Sequence, residues 1–296
     1  MKNIFIINPS AGKGREVKYL IEAIQKYMSD AIIYELNARD DASEVVKSYI
    51  SDELMCIYAC GGDGTINRVL NGIVNKDNVY LGIIPIGTGN DFIKSLPYSK
   101  DEMIDINSYQ NPLIQPCDIF SINQCYFGIN TVSAGLDVTI AKNVDKFKGI
   151  HFKETTIPYY MSLLYSLGSG LNNYYKIFID DKLIHNDNYT FVVCGNGGYY
   201  GGGYHPTPDS KVDDGILDMC LIKKVTRTKI LSVAKSYKEG THVRFKDIVS
   251  IYKGHTLKII ADKNVPLNID GEVIEFKNPK IEIIHHGIKL CLPNMK

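Results

Sequence analysis

Three glycine-rich polar segments in the first hundred residues are the clearest candidates for a chemical function. Residues 8–12 read Asn-Pro-Ser-Ala-Gly, residues 61–65 read Gly-Gly-Asp-Gly-Thr, and residues 87–91 read Gly-Thr-Gly-Asn-Asp. Because glycine has no Cβ, backbone N–H groups in such turns can approach an anion closely. A helix that follows the turn adds the partial positive charge of its N-terminus. Together the three segments predict a phosphate-binding site.

Asp63 is the acidic residue within the second of these segments. A carboxylate among amides that bind phosphate would repel the phosphates unless a cation lay between them, and Mg²⁺ is commonly held by one or two carboxylates plus substrate phosphates. The residue types therefore indicate a nucleoside triphosphate bound with Mg²⁺. The alternative is that these glycines are present only because tight turns between strands and helices leave no room for a side chain. Lys13, which lacks the surrounding P-loop pattern, is a weak candidate for a phosphate contact.

The elements that must position these turns alternate between strand and helix. Buried apolar runs predict strands at 4–7, 32–36, 55–60 and 80–84, and helical periodicity predicts helices at 15–28, 42–50 and 65–74. This order is typical of a doubly wound parallel sheet in an α/β domain. All three glycine segments follow strands, so they lie at the carboxyl edge of the sheet, where ligands of open α/β sheets bind.

Beyond residue 112 the pattern changes to short strands separated by turns rich in Gly, Asn, Asp and Pro. The predicted strands are 119–122, 126–130, 175–179, 190–194, 217–222, 257–261, 265–269, 281–284 and 289–292. Helical character is expected only near 158–171 and 227–237. This predicts a mainly antiparallel β-sandwich domain. We therefore divide the chain into a nucleotide-binding domain, 1–118, and a β-rich domain, 119–284, and allow for residues of about 285–296 packing back on the first.

Composition excludes several classes of protein. The 33 basic and 33 acidic residues give a net charge of zero, which argues against a nucleic-acid partner. Seven cysteines without a Cys-x-x-Cys pair argue against a disulfide scaffold or a structural zinc site and favour a reducing cytosol. Residues 155–175 are uncharged but contain Pro and Gly, and their apolar centre is shorter than the about 20 residues that a membrane span requires. We expect a cytoplasmic protein without a transmembrane segment.

The three segments, extended to 8–12, 61–67 and 85–92, resemble the catalytic domain of the diacylglycerol kinase and sphingosine kinase family, in particular its bacterial lipid kinases. Gly-Gly-Asp-Gly-Thr alone is shared with NAD kinases, whereas all three in this order are more specific. Residues 201–203, 211–218 and 268–272 resemble the family's second-domain motifs. The resemblance implies an NAD kinase/diacylglycerol kinase-like fold.

The resemblance also implies roles for individual residues. Glu272 would be the general base and Asp63 would be critical for the metal-bound phosphates. A hairpin turn with a solvated glutamate is the alternative for residues 270–272, since Asp-Gly is a strong hairpin signal. The implied nucleotide-binding residues are Asn8, Pro9, Ser10, Ala11, Gly12, Asn37, Gly61, Gly62, Asp63, Gly64, Thr65, Asn67 and Thr88.

Two of these assignments have specific alternatives. Residues 211–216 resemble a structural Mg²⁺ loop of the Gram-positive bacterial diacylglycerol kinase, with the Asp214 carboxylate and the Lys211 and Ile216 carbonyls as ligands; a plain Asp-Gly turn explains the same residues. The family commonly has a Thr after the second strand, where this chain has Asn37. Asn37 could form a similar hydrogen bond to the nucleotide.

The leading functional hypothesis is an ATP- and Mg²⁺-dependent lipid kinase that converts diacylglycerol to phosphatidic acid. The alternatives are an NAD kinase-type enzyme with a soluble substrate, and a non-catalytic nucleotide- or lipid-sensing module. We expect the lipid substrate to be met at the membrane surface, in transient peripheral contact. Diacylglycerol, a long-chain base, a polyprenol and phosphatidylglycerol all present a hydroxyl on a lipid, and a homodimer is compatible with the sequence.

Overall fold

The computed structural model describes residues 1–12, 14–87, 89–148, 156–168 and 173–295. Its first part alternates strands and helices: β1 (Lys2–Ile7), α1 (Gly14–Tyr27), β2 (Ile32–Glu35), α2 (Ala42–Tyr49), β3 (Met55–Cys60), α3 (Asp63–Ile73) and β4 (Val79–Ile84). The four strands are parallel in the order β4-β3-β1-β2. Every residue of β3 is buried, as expected for a strand covered by helices on both faces. The predicted α/β architecture is confirmed.

Local signals account for the boundaries of these elements. The apolar positions of α1 recur at Val17, Leu20 and Ile24, which are buried against the sheet. Helix α2 begins after Asp41, whose carboxylate accepts the Ser43 N–H at 2.9 Å and so satisfies a free amide of the first turn. Past β4 the chain forms 3₁₀ turns at Phe92–Ser95 and Ile106–Tyr109 and a short helix, α4 (Lys100–Ile104).

The second part is dominated by antiparallel strands. Its elements are β5 (Leu113–Ile122), β6 (Tyr126–Gly128), β7 (Thr131–Gly135), α5 (Leu136–Lys148), α6 (Thr156–Ser166), β8 (Asn173–Ile179), β9 (Lys182–Gly195), β10 (Leu217–Lys223), α7 (Arg227–Lys238), a 3₁₀ turn (Thr241–Arg244), β11 (Val249–Gly254), β12 (Thr256–Ile260), β13 (Val265–Ile269), β14 (Glu272–Phe276) and β15 (Lys280–Leu292). The central order β13-β7-β9-β8-β12 is antiparallel throughout.

Strand β15 joins the two parts. Near its end, Leu290 and Cys291 pair in parallel with β4, while the whole strand pairs antiparallel with β5 and its start pairs with β12. The two strands expected at 281–284 and 289–292 are one strand with an irregular register between Ile284 and Ile288. The first sheet is therefore continued by the last strand of the chain.

The expectation that helical character in the second half is limited to two segments is wrong, because α5 is a third helix. Its sequence includes the β-branched Val138, Thr139 and Ile140, which have low helix propensity. Tertiary packing stabilises this helix instead, because Leu136 and Ile140 are buried in the core. Of the predicted 158–171 helix, the structure has α6 to Ser166, and residues 169–172 lie outside the described residues. Among the described residues, no helix is long and apolar enough to cross a membrane.

Candidate active site

The first glycine segment is fixed against the start of α3. The Asn8 side chain donates to Thr65 Oγ1 at 3.1 Å, and its Oδ1 accepts the Ser10 N–H at 3.1 Å. Asn8 follows β1, and Thr65 lies in the first turn of the helix after β3. Because β1 and β3 are neighbouring parallel strands, their ends bring the two segments together at one edge of the sheet.

The second and third segments are in direct backbone contact. Gly87 N–H donates to the Gly61 carbonyl at 3.0 Å, and a Cβ on Gly87 would lie only 2.4 Å from the Gly62 Cα. No other residue fits at this close approach. Gly12 completes the arrangement, since a Cβ there would lie 3.4 Å from the Ile86 carbonyl oxygen. The structure thus brings the three segments together, while Thr88 and Lys13 lie outside the described residues.

Asp63 is the first residue of α3 and is held by the third segment. Its Oδ2 accepts the Asp91 N–H at 2.9 Å and its Oδ1 accepts the Phe92 N–H at 3.2 Å. Burial of the carboxyl group, reinforced by the nearby Asp91 carboxylate, raises the pKa of Asp63 to about 7. Two crowded carboxyl groups at the carboxyl edge of the parallel sheet fit a hard cation, because such a cation prefers oxygen ligands and relieves their repulsion.

Asp91 is a site residue that the sequence assignments missed. It is buried, its Oδ1 contacts Lys94 Nζ at 2.6 Å, and its Oδ2 accepts the Gly202 N–H at 2.6 Å. Desolvation raises the pKa of Asp91 above its usual value. The Gly202 contact ties the first part of the chain to the glycine-rich loop of the second part. Its place at the end of the Gly-Thr-Gly-Asn-Asp segment is the sequence feature from which Asp91 could have been identified.

The hairpin that joins β13 and β14 approaches α3 from the second part. Asp270 and Gly271 have φ values of 49° and 97°, which match the left-handed turn that Asp-Gly favours between antiparallel strands. The buried Asp270 carboxylate accepts the N–H groups of Ile129, Asn130 and Thr131 at 2.9 to 3.1 Å. It also accepts a hydrogen bond from the Asn67 side chain of α3 at 3.0 Å. This side-chain bond attaches the hairpin to the helix.

Glu272 begins β14 and faces the first turns of α3. Its Oε1 lies 2.8 Å from Nη2 of Arg68, and a Cβ on Gly64 would lie 3.3 Å from the same oxygen. The hairpin expected from Asp-Gly is present, and it places the glutamate beside the glycine segment rather than in open solvent. Glu272, Gly64 and Asp63 are thereby brought to the same end of one helix, although Glu272 is 204 residues from Arg68 in sequence.

The remaining predicted residues lie elsewhere. Asn37 follows β2 and donates its backbone N–H and its side-chain amide to Asp40 Oδ2, at 2.8 and 3.2 Å, in a local turn. Among the described residues, the side-chain hydrogen bond of Asn37 goes to Asp40 and not to another predicted nucleotide residue. In the 211–216 loop, Asp214 Oδ1 accepts the Ile216 N–H at 3.1 Å, whereas Lys211 is exposed.

The 211–216 loop packs on a buried carboxylate of β5. Asp118 Oδ2 accepts the Gly215 N–H at 2.6 Å, and its Oδ1 is bonded by His285 Nδ1 at 2.9 Å and by the His286 N–H at 2.6 Å. The loop offers a carboxylate and backbone carbonyls, which are oxygen ligands of the kind Mg²⁺ prefers. The loop is thus held against β5, through Asp118, and against β15, through His285.

A parallel α/β sheet joined to an antiparallel β domain is the fold of solved diacylglycerol kinase and NADH kinase structures. Models of the diacylglycerol kinase catalytic domain and of the YegS C-terminal NAD kinase beta sandwich-like domain match residues 2–122 and 130–291. The chain is 30% identical to "Diacylglycerol kinase" of Bacillus subtilis (strain 168), over 98% of this chain and 96% of that protein. The chain belongs to the diacylglycerol kinase family, and the predicted family and fold are confirmed.

Solved structures agree with this fold. A crystal structure of a diacylglycerol kinase from Bacillus anthracis str. Sterne superposes with a TM-score of 0.71 at 20% identity and covers 98% of this chain and 96% of that one. Yeast NADH kinase complexed with NADH superposes with a TM-score of 0.53 at 12% identity, over 100% of this chain and 84% of that one. As a member of a kinase family, the chain is assigned to the phosphotransferases.

Proposed function

We propose that the chain is an ATP- and Mg²⁺-dependent lipid kinase that phosphorylates a hydroxyl group of a membrane-derived lipid, with diacylglycerol as the acceptor and phosphatidic acid as the product. One observation carries the proposal. The Glu272 carboxylate lies at the first turns of the helix that begins after Gly61 and Gly62. In the proposed site, a proton acceptor therefore lies beside a helix end that binds phosphate. Transfer of a phosphoryl group from a nucleotide to a hydroxyl requires these two groups to be close together.

On the nucleotide side, the ATP phosphates lie against the N–H groups of the three glycine segments and the N-terminus of α3. Mg²⁺ supplies charge neutralisation between Asp63 and the phosphates when it is bound. We further propose that Asn37 exchanges its bond to Asp40 for a contact with the nucleotide, and that Thr88 contributes to the same site. A second, structural Mg²⁺ takes the Asp214 carboxylate with the carbonyls of Lys211 and Ile216.

On the acceptor side, Glu272 takes the proton of the lipid hydroxyl. The hydroxyl oxygen forms a bond to the γ-phosphorus while the bond between that phosphorus and the bridging oxygen of ADP breaks. Little covalent work is left to the protein, so positioning and charge neutralisation carry most of the catalysis. A general base contributes about 10²- to 10⁴-fold to such a step.

A small apolar cavity of about 30 Å³ lies in the core of the second part. Its walls include Ile140 of α5, Leu163 of α6, Phe191 of β9, Ile222 of β10 and Ile230 of α7. A space of this size holds only about two water-sized molecules and is a void in the packed core. The support for a lipid acceptor comes instead from the relatives whose names contain "Diacylglycerol kinase" and "lipid kinase". We propose contact with the membrane surface from the cytoplasm during turnover, and a homodimer as the assembly to be tested.

Acceptor choice is tested by measuring ADP release with ATP and Mg²⁺ in mixed micelles that contain diacylglycerol, a long-chain base, a polyprenol or phosphatidylglycerol, with NAD assayed in parallel. We expect turnover with diacylglycerol and none with NAD. Turnover with NAD alone assigns the chain to the NAD kinase type. ATP binding without turnover on any acceptor assigns it to the sensing modules.

The raised pKa of Asp63 makes cation binding depend on pH. Because Mg²⁺ binds the ionised carboxylate, protons compete with it below about pH 7, and we expect its apparent affinity to fall about tenfold per pH unit there. The unbound protein behaves oppositely: a folded-state pKa above the unfolded value of 3.8 means that this group's contribution to stability falls as the pH rises from 4 to 7. Thermal shifts with Mg²⁺ and a non-hydrolysable ATP analogue, measured from pH 5.5 to 8.5, check both signs. A pH-independent Mg²⁺ affinity contradicts the assignment.

A further inference from the structure

The geometry points to Arg68 as the residue that positions the proposed general base, an inference that rests on the proposed function. Arg68 lies on α3 four residues after Gly64, and its Nη2 is 2.8 Å from Oε1 of Glu272. Four residues span about one turn of a helix, so the guanidinium group is on the face of α3 that already carries the glycine segment. The ion pair therefore lies at the reacting end of the proposed site.

The ion pair has little to contribute to folding. The Arg68 and Glu272 side chains are 51% and 33% exposed, and ion pairs in such surroundings are weak because water screens them. The hairpin is attached to α3 by a different contact, the buried hydrogen bond between Asn67 and Asp270 at 3.0 Å. The neighbouring residues of α3 thus have separate tasks. Asn67 holds the Asp270 carboxylate at the turn of the hairpin, and Arg68 holds the end of the Glu272 side chain.

Arg68 contacts one oxygen of the Glu272 carboxylate, so the other oxygen can accept a proton. Within the described part of the chain, the Glu272 side chain has no hydrogen bond other than the one to Arg68. Oε2 is therefore free to receive the proton when the acceptor O–H bond breaks, while Arg68 itself gives up no proton. A glutamate at the end of a hairpin has several rotamers, and the contact with Arg68 Nη2 at 2.8 Å favours the one that reaches the guanidinium group.

We test this with Arg68→Gln and Arg68→Lys in the lipid-kinase assay. We expect kcat of Arg68→Gln to fall about 10- to 100-fold, the range for a misplaced catalytic group, while KM for ATP and the melting temperature stay unchanged. Arg68→Lys keeps a cation on the same helix face and retains most of the activity. Guanidinium ion added to Arg68→Ala restores part of the rate. Lys142→Gln is the matched control, since Lys142 is also 51% exposed and pairs with Glu275 of the same hairpin at 4.0 Å.

A double-mutant cycle separates positioning from other roles. If Arg68 acts through Glu272, the double variant Arg68→Gln/Glu272→Gln is no slower than Glu272→Gln alone. Additive losses overturn the inference, as does a wild-type kcat in Arg68→Gln. An absence of turnover in the wild-type protein with every acceptor instead contradicts the proposed function. In that case the inference is overturned as well, because Glu272 is then not a general base that Arg68 could position.

Discussion

Replacement of Asp63 by Asn is expected to lower turnover by about 10²- to 10³-fold, the range for loss of one group that stabilises charge in a transition state. The amide has the size of the carboxyl group but no negative charge, so it binds a cation less well between the helix end and the phosphates. We expect the Mg²⁺ concentration for half-maximal rate to rise, since the metal loses an anionic ligand. Initial rates measured across a Mg²⁺ titration at saturating ATP show both effects.

Folding of this variant should be close to normal. The carboxyl group accepts two backbone N–H groups, and an amide oxygen keeps one of them. The loss of the other is offset because the substitution removes a charge that burial and Asp91 make unfavourable. Asp41→Asn is the control: Asp41 also stands at the start of a helix, α2, and Asn is an equally good N-cap. Full activity in Asp63→Asn at low Mg²⁺ would contradict the role given to Asp63.

The meeting of the three glycine segments at one edge of the sheet could be predicted because its signals are local. Each glycine segment directly follows a buried strand, and in a parallel sheet the ends of such strands share an edge. The turn at Asp270 and Gly271 was similarly readable, because Asp-Gly favours the left-handed conformations that both residues adopt. The local sequence was therefore enough to predict that the three segments meet and that a hairpin turn forms at Asp270 and Gly271.

The contacts between the two parts of the chain could not be predicted. Asp91 meets Gly202 across 111 residues of sequence, and Arg68 meets Glu272 across 204. Neither spacing has a periodicity, since each pair joins one part of the chain to the other, and β15, the strand that links the two parts, is remote from these residues in sequence. Helix α5 was missed for a related reason: its β-branched residues have low intrinsic helix propensity, and tertiary packing overrides that preference.

Those long-range contacts change what the sequence alone assigned to Glu272. As a residue after a hairpin turn, it had an equally good interpretation as a solvated side chain. In the structure its carboxylate is paired with Arg68, and its hairpin is held by the buried Asp270. A group constrained by two contacts from one helix is better suited to accept a proton in a fixed direction than a freely rotating surface glutamate.

Replacement of Glu272 by Gln is accordingly expected to lower kcat by about 10²- to 10⁴-fold, the usual contribution of a general base. The amide oxygen still accepts from Arg68, so the hairpin keeps its place, and ATP affinity and melting temperature should match those of the wild-type protein. Single-turnover transfer to diacylglycerol, together with binding of a non-hydrolysable ATP analogue, separates chemistry from nucleotide binding. Glu275→Gln removes a carboxylate three residues along the same strand and should leave the rate unchanged. If the Glu272 variant transfers phosphate within about threefold of the wild-type rate, water or another group takes the proton, because loss of a true general base costs far more.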